Sequence, residues 1–377
     1  MKLTVTIARI LTGSLFIFSG LVKSIDPRGL AYKMQEFFEA WANAGFMKGM
    51  MEELGHYALP FSISMITLEV IAGTALLLGW QKKITTWLLL LLIIFFTFLT
   101  SYVLFSGKIK ACGCFGDCIP ITPVQTFTKD IILLLLAVLL LIGQKYIRPL
   151  AKPFIGGLII LLALIGTLLL QWYVLWHLPL ADCLPFKKGN NILELRKMPA
   201  NAIPDKFDMT FVYEKNGEKK QFTTDALPDS SWTFVERKQQ LIVPGKNNIL
   251  AINDFSFTTS AGNDTTEAIL SQQKNYYLLF IKDLQSYPHR WEGDAKLLRD
   301  ILRTKKTIFI ITSQVSAVKN RFESIFKNEN MEADNFIFSC DATAIKTAAR
   351  TNPALFLMNA GVVKDKWGWA DFDEAGY

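Results

Sequence analysis

The sequence predicts a membrane all-α part followed by a soluble α/β domain that carries a small β element. Three observations lead there. The 377 residues are 51% hydrophobic and only 19% charged, with 28 Phe, whereas soluble domains carry roughly 25% charged residues. Five apolar runs in the first half each approach the ~20 residues needed to cross a ~30 Å hydrocarbon core. After Trp176 the composition changes, and strand-like and helix-like segments begin to alternate. The length suits two to three domains at about 150 residues each. The net charge of +7 sits in short loops and not in a stripe, which argues against a nucleic-acid reader.

The five runs are residues 3–22, 60–79, 84–105, 127–143 and 154–176. The first has no small-residue cleavage site before Lys23 and reads as a retained helix, not a signal peptide. Lys and Arg in short loops set the orientation. With the N-terminus in the cytoplasm, the inner segments hold Lys2, Arg9, Lys82, Lys83, Lys145, Arg148 and Lys152 and no acidic residue. The outer segment 24–59 holds Arg28, Lys33 and Lys48 against Asp26, Glu36, Glu39, Glu52 and Glu53. The C-terminal domain then lies outside the cytoplasm. The resulting division is 1–150 for a four-helix membrane domain, 151–180 for the fifth span, 181–270 for a linker with a small β element, and 271–377 for the α/β domain.

The segment between the third and fourth spans contains Cys112-Gly-Cys114-Phe-Gly-Asp-Cys118. Glycines let neighbouring sulfurs approach, and a thiolate that attacks a disulfide needs a resolving thiol in reach. Cys112, Cys114 and Cys118 are therefore the candidate catalytic thiols. The alternative is a static bridge with one spare thiol. A metal site fits less well, since three thiols with no nearby His suit zinc poorly. Cys112 and Cys114 would close a small, strained ring, so a resting Cys114–Cys118 or Cys112–Cys118 bridge is expected. Of the other cysteines, Cys340 reads as a buried small hydrophobe. Cys183 follows the fifth span and shares the outer face with the loop.

Two ionisable residues fall inside the spans. Arg9 lies about two turns into the first and Glu69 near the middle of the second. An intramembrane charge is costly and pairs or serves function. An Arg9–Glu69 pair is expected, either handling protons or a quinone or, as the favoured reading, fixing helix packing. Lys23 and Asp26 read as interfacial anchors.

In the second half, residues 209–224 alternate around Asn216-Gly217, a strong hairpin signal, and 232–243 adds strand character. Strands are expected at 276–282, 307–312, 336–339, 354–358 and 362–366, with helices at 291–303, 317–326 and 342–350. This order resembles the thioredoxin fold. Pro353 falls where that fold carries its cis-proline. The segment after the first of these strands, Asp283 to Trp291, contains His289 but no cysteine. Thiol chemistry is thus excluded there, and the domain reads as a docking or binding module. Trp367 and Trp369 read as a core plug.

Three further stretches carry a resemblance to a family. They are Ala8-Arg9-Ile-Leu-Thr-Gly13-Ser-Leu-Phe-Ile-Phe-Ser-Gly20-Leu-Val-Lys23, then Leu68-Glu69-Val-Ile-Ala-Gly73-Thr-Ala-Leu-Leu-Leu-Gly79, then Cys112-Gly-Cys114-Phe-Gly116-Asp. Over about the first 145 residues the chain resembles the DoxX-like superfamily, in particular the methylamine utilisation protein MauE family. The resemblance implies a four-helix membrane bundle in a bacterial cytoplasmic (inner) membrane. It also implies a role in disulfide formation or maturation of an extracytoplasmic redox or client partner. It is similar in spirit to vitamin K epoxide reductase, which couples thiols to a quinone. This chain lacks the Cys-x-x-Cys on a membrane helix that such coupling uses. The rival reading is a non-catalytic membrane scaffold with a structural disulfide. A transporter would show inverted repeats and broken helices.

Overall fold

The computed structural model describes residues 1–109, 116–119, 121–215, 217–223, 226–243, 245, 247–248, 250–285 and 291–376. Cys112, Cys114 and His289 lie outside the described residues.

Five helices are long and apolar enough to cross a membrane. They are α1 (Lys2–Ser24), α4 (Ala58–Leu78), α5 (Lys82–Ser106), α6 (Pro123–Ile142) and α7 (Pro153–Trp176). Between the first two lie α2 (Pro27–Asn43) and α3 (Lys48–His56), which occupy most of the expected outer segment 24–59. Asp26 caps α2, its Oδ1 accepting from the Gly29 amide at 3.0 Å, and Pro27 supplies a preset first turn. The helix is amphipathic, burying Ala31, Met34 and Phe37.

Half of the apolar window of α4 is buried, against 11% for α7, so α4 is the centre of the bundle and α7 its lipid-facing flank. The α1–α4 crossing is made close by glycines. A Cβ on Gly73 would sit 2.7 Å from the Gly13 carbonyl oxygen, and one on Gly13 would sit 2.6 Å from Leu77. With no difference in apolarity between lipid and a neighbouring helix, such close backbone packing is what holds spans together. One turn further on, at the C-terminal end of α4, Arg9 donates to the carbonyls of Leu76 (2.8 Å), Leu77 (2.6 Å) and Arg148 (2.9 Å). Its guanidinium thus satisfies the orphaned last carbonyls of a helix and complements their partial negative charge.

After α7 come α8 (Ile192–Leu195) and an antiparallel sheet of β1 (Lys206–Lys215), β2 (Glu218–Thr223) and β3 (Thr233–Val243), in the order β2-β1-β3. Gly217, at φ +84°, forms the tight β1–β2 turn. The α/β domain runs α9 (Thr266–Leu270), β4 (Tyr276–Ile281), α10 (Trp291–Arg303), β5 (Thr307–Thr312), α11 (Val315–Asn328), β6 (Ile337–Ser339), α12 (Ala342–Ala348), β7 (Ala354–Asn359) and β8 (Val362–Gly368). Its sheet order is β6-β5-β4-β7-β8. β4, β5 and β6 are parallel, while β7 is antiparallel to both β4 and β8.

The period of two along β4 sends Tyr276, Leu278 and Phe280 into one core and Tyr277, Leu279 and Ile281 into the other. Helices α10 and α11 cover the second face with Leu298, Ile301, Phe322 and Phe326. The first face is filled partly by Phe186, Ile192, Ile252, Phe255, Phe257 and Leu270. Residues read from the sequence as linker therefore complete the α/β core. Short apolar pieces without periodicity carry no signal of which sheet they cover.

Candidate functional site

The α/β domain seats its cis-proline end on the end of the bundle where α2 lies. The Asn352–Pro353 peptide bond is cis. Beside it, Asn352 Oδ1 accepts from the Lys282 amide (2.9 Å) and its Nδ2 donates to the Asp283 carbonyl (2.7 Å). This ties the end of β4 to the start of β7. Arg350 reaches from this corner into the membrane part. Its Nε donates to Asp26 Oδ2 and its Nη2 to Asp117 Oδ2, each at 2.7 Å. The guanidinium lies 5.5 Å from the ring centre of Tyr32 on α2, a cation–π distance. Burial opposes the charge on Arg350, but Asp26 and Asp117 outweigh it and hold the group more firmly protonated than usual.

Lys282 is half-buried at the same junction and donates from Nζ to the Tyr32 hydroxyl at 3.0 Å. Burial, reinforced by Arg28 and Arg350, drives its pKa well below the ordinary 10.5, with Asp283 and Asp26 opposing. Burial likewise raises the Tyr32 phenol above its ordinary 10.0. The joint is further held by Lys366 on Asp182, by His177 on Asp371, and by Trp369 packed on Trp176 at 4.8 Å between ring centres. Trp369 also packs against the α/β core, so it serves both as plug and as contact to the fifth span.

Against this joint stands a disulfide between Cys118 and Cys183, with Cα atoms 4.8 Å apart. A cleft of about 1060 Å³, open to solvent, runs past it between α2 and α12, lined by Tyr32, Asp117, Cys183, Lys346 and Arg350. The bridge expected within the cysteine loop is thus corrected: Cys118 pairs with Cys183, 65 residues on. The physical reason is that α6 and α7 carry the chain down and back, returning Cys183 to the face where the loop lies. Cys340 is a free, buried thiol whose pKa burial pushes up to about 12, which makes it a poor nucleophile.

The Arg9–Glu69 pair is also corrected. Glu69 Oε1 takes Lys23 Nζ at 2.5 Å, and its Oε2 accepts from Ser19 Oγ at 3.0 Å. All three residues are buried. Arg9 is occupied at the far end of α4. Lys23, read from the sequence as an interfacial anchor, turns inward because its position on α1 faces α4, and its long stem spans the remaining depth. The signal available was helical phase: Gly13, Gly20 and Lys23 recur at spacings that share a face. Arg350 and Tyr32 carried no such signal, since their partners lie hundreds of residues away.

Comparison with known proteins adds the following. The sequence model of methylamine utilisation protein MauE matches residues 1–143, the part of the chain that ends with α6. A second model, described only as a domain of unknown function, matches residues 207–243, the three-stranded sheet. Protein TlpB of Flavobacterium psychrophilum is 32% identical over 135 residues, 35% of this chain and 35% of that protein. The match thus spans about a third of the length of this curated relative. No solved structure matches. The membrane part is MauE-like, and the chain is a membrane protein.

Proposed function

We propose that this protein is a membrane thiol-disulfide maturation factor of the bacterial cytoplasmic membrane. Its cysteine loop and its α/β domain lie outside the cytoplasm, and the α/β domain is a thioredoxin-like module that has given up its own thiols to serve as a docking piece. The single observation that carries this reading is the Cys118–Cys183 disulfide beside an open polar cleft, next to the cis-proline corner of the module. The order β6-β5-β4-β7-β8, with β4 parallel to β5 and antiparallel to β7, supports the thioredoxin-like assignment. The outward placement rests on the seven basic residues of the inner segments.

In this reading a client thiolate enters the cleft and attacks one sulfur of the bridge, which breaks as the other sulfur leaves as a thiolate. The client's second thiolate then attacks the mixed disulfide. The client loses two electrons and two protons and gains a disulfide, and Cys118 and Cys183 end as thiols. Cys112 and Cys114 lie six and four residues before Cys118 in the sequence; once bridged to each other by a further electron acceptor, they re-oxidise that pair by thiol-disulfide exchange, their own bridge being reduced to two thiols. Arg350 holds Asp117 and so positions Cys118. The deciding experiment traps thiols in the native protein over a series of glutathione potentials and maps all five cysteines by mass. The expected result is reversible opening of Cys118–Cys183 with redistribution onto Cys112 or Cys114. A bridge that stays closed at every potential short of unfolding would sink the proposal.

The second reading, a scaffold with a permanent staple, has one observation in its favour: the bridge joins two segments that both lie at the joint between membrane part and α/β domain. The same trapping experiment separates the two.

A further inference from the structure

Beneath the disulfide lies a second cluster of charge, inside the bundle. A pocket between α1, α4, α5 and α6 is lined by Ser19, Lys23, Glu69, Lys129 and Asp130 together with apolar side chains. Of the four carboxylate oxygens there, three are engaged. Glu69 Oε1 has Lys23, Glu69 Oε2 has Ser19, and Asp130 Oδ1 has Lys129. The fourth, Asp130 Oδ2, is buried and has no hydrogen-bond partner, on a residue only 2% exposed. A buried acceptor left unmatched costs about 1–3 kcal/mol, and in a bilayer the surroundings cannot supply the missing donor.

The pocket has room for one water-sized group beside this oxygen. Its wall is not closed, because Leu15, Phe96 and Lys129 are half-buried. Asp130 lies seven residues into α6, about 10 Å below the start of that helix at 1.5 Å per residue. A molecule reaching the opening therefore comes from the hydrocarbon region. The charges inside are balanced, two cations against two anions, so an ion is not called for. What fits is a neutral donor the size of a hydroxyl on an apolar body, with Leu15 and Phe96 in contact with that body.

We propose that Asp130 Oδ2 is the anchor of a binding site for the hydroxyl head of a neutral, membrane-dissolved amphiphile. A phenolic and a glyceryl hydroxyl share this chemistry, and the test includes both. This site does not depend on the thiol chemistry of the cysteine loop.

The full chain in lipid nanodiscs is melted with para-octylphenol, with para-octylanisole, which has the same body but no donor, and with dioctanoylglycerol. A ligand that binds only the folded form raises Tm by mass action. The expected result is a rise of several degrees with the phenol, the glycerol ester or both, and none with the anisole. In Asp130→Leu the rise disappears. Equal shifts with phenol and anisole, or no shift with either donor, would overturn the proposal and leave water as the occupant. Should Asp130→Leu fail to fold, the phenol–anisole comparison on the unaltered protein decides alone.

Discussion

Glu69 is 1% exposed and Lys23 4%, so neither charge can be solvated once its partner is gone. Glu69→Gln and Lys23→Met should each cost about 3–5 kcal/mol, as for other broken buried pairs. The double variant should recover much of that loss in a double-mutant cycle followed by thermal melting. Arg9→Gln should instead combine additively with Glu69→Gln, within about 0.5 kcal/mol, because Arg9 caps α4 and does not touch Glu69. Strong coupling between those two would contradict the assignment. That ionisable residues in the spans would be paired was legible in the sequence. Which cation met Glu69 was not, because Arg9 and Lys23 both face α4 and the choice depends on how far α1 is offset along it.

Lys282 and Tyr32 give a pH signature at the same scale. Below 10.5 the unfolded chain protonates Lys282 more readily than the folded one, whose lysine pKa is well below that value. Stability from this group is therefore lost as pH falls through that window and regained as pH rises towards 10.5. Tyr32, with its folded pKa raised above 10.0, works in the opposite sense and loses stability as pH rises past 10.0. Lys282→Met should flatten the lower slope in denaturant titrations across the alkaline range and leave the upper one.

Among the elements, the α1–α4 crossing makes the sharpest demand on sequence. Gly73→Ala would place a methyl 2.7 Å from the Gly13 carbonyl oxygen and 2.9 Å from Ile17. Backbone cannot yield as a side chain would, so the helices must separate. A loss of about 1–3 kcal/mol is expected, as for overpacked cores, read as a lower Tm in nanodiscs. Gly49→Ala, where a Cβ meets nothing within 4 Å, is the matched control. A Gly73→Ala protein with unchanged Tm would mean that the crossing is looser than described. Elements with a strong local signal, such as β4 and α11, could be read from the sequence to within one or two residues at each end, 276–282 against Tyr276–Ile281 and 317–326 against Val315–Asn328. The helices α2 and α3 were not, although Ala31, Met34 and Phe37 recur at helical spacing, because charged residues intervene throughout the stretch and it is too polar to stand out beside the apolar spans. The cysteine pairing was illegible for a different reason. Spacing within a loop says which sulfurs can meet, not which partner the rest of the fold delivers.

At the scale of the whole molecule, orientation is the first thing to test. The basic residues of the inner segments predict that protease added to intact spheroplasts removes the α/β domain and leaves the helical core. Complete protection would reverse the topology and place the disulfide on the reducing side, where such bonds are rare. The bridge itself also reports on the number of membrane crossings. Cys118 and Cys183 enclose two spans, α6 and α7, and two is an even number. A bond between residues separated by an odd number of crossings cannot form, because its ends would face different compartments. The covalent link is thus a parity check on assembly. A chain in which α7 fails to insert carries Cys183 to the wrong side, keeps both thiols free and migrates as the open form on a non-reducing gel. Deleting α7 while retaining Cys183 should give that open form quantitatively, and replacing α7 with an unrelated apolar helix should restore the closed one.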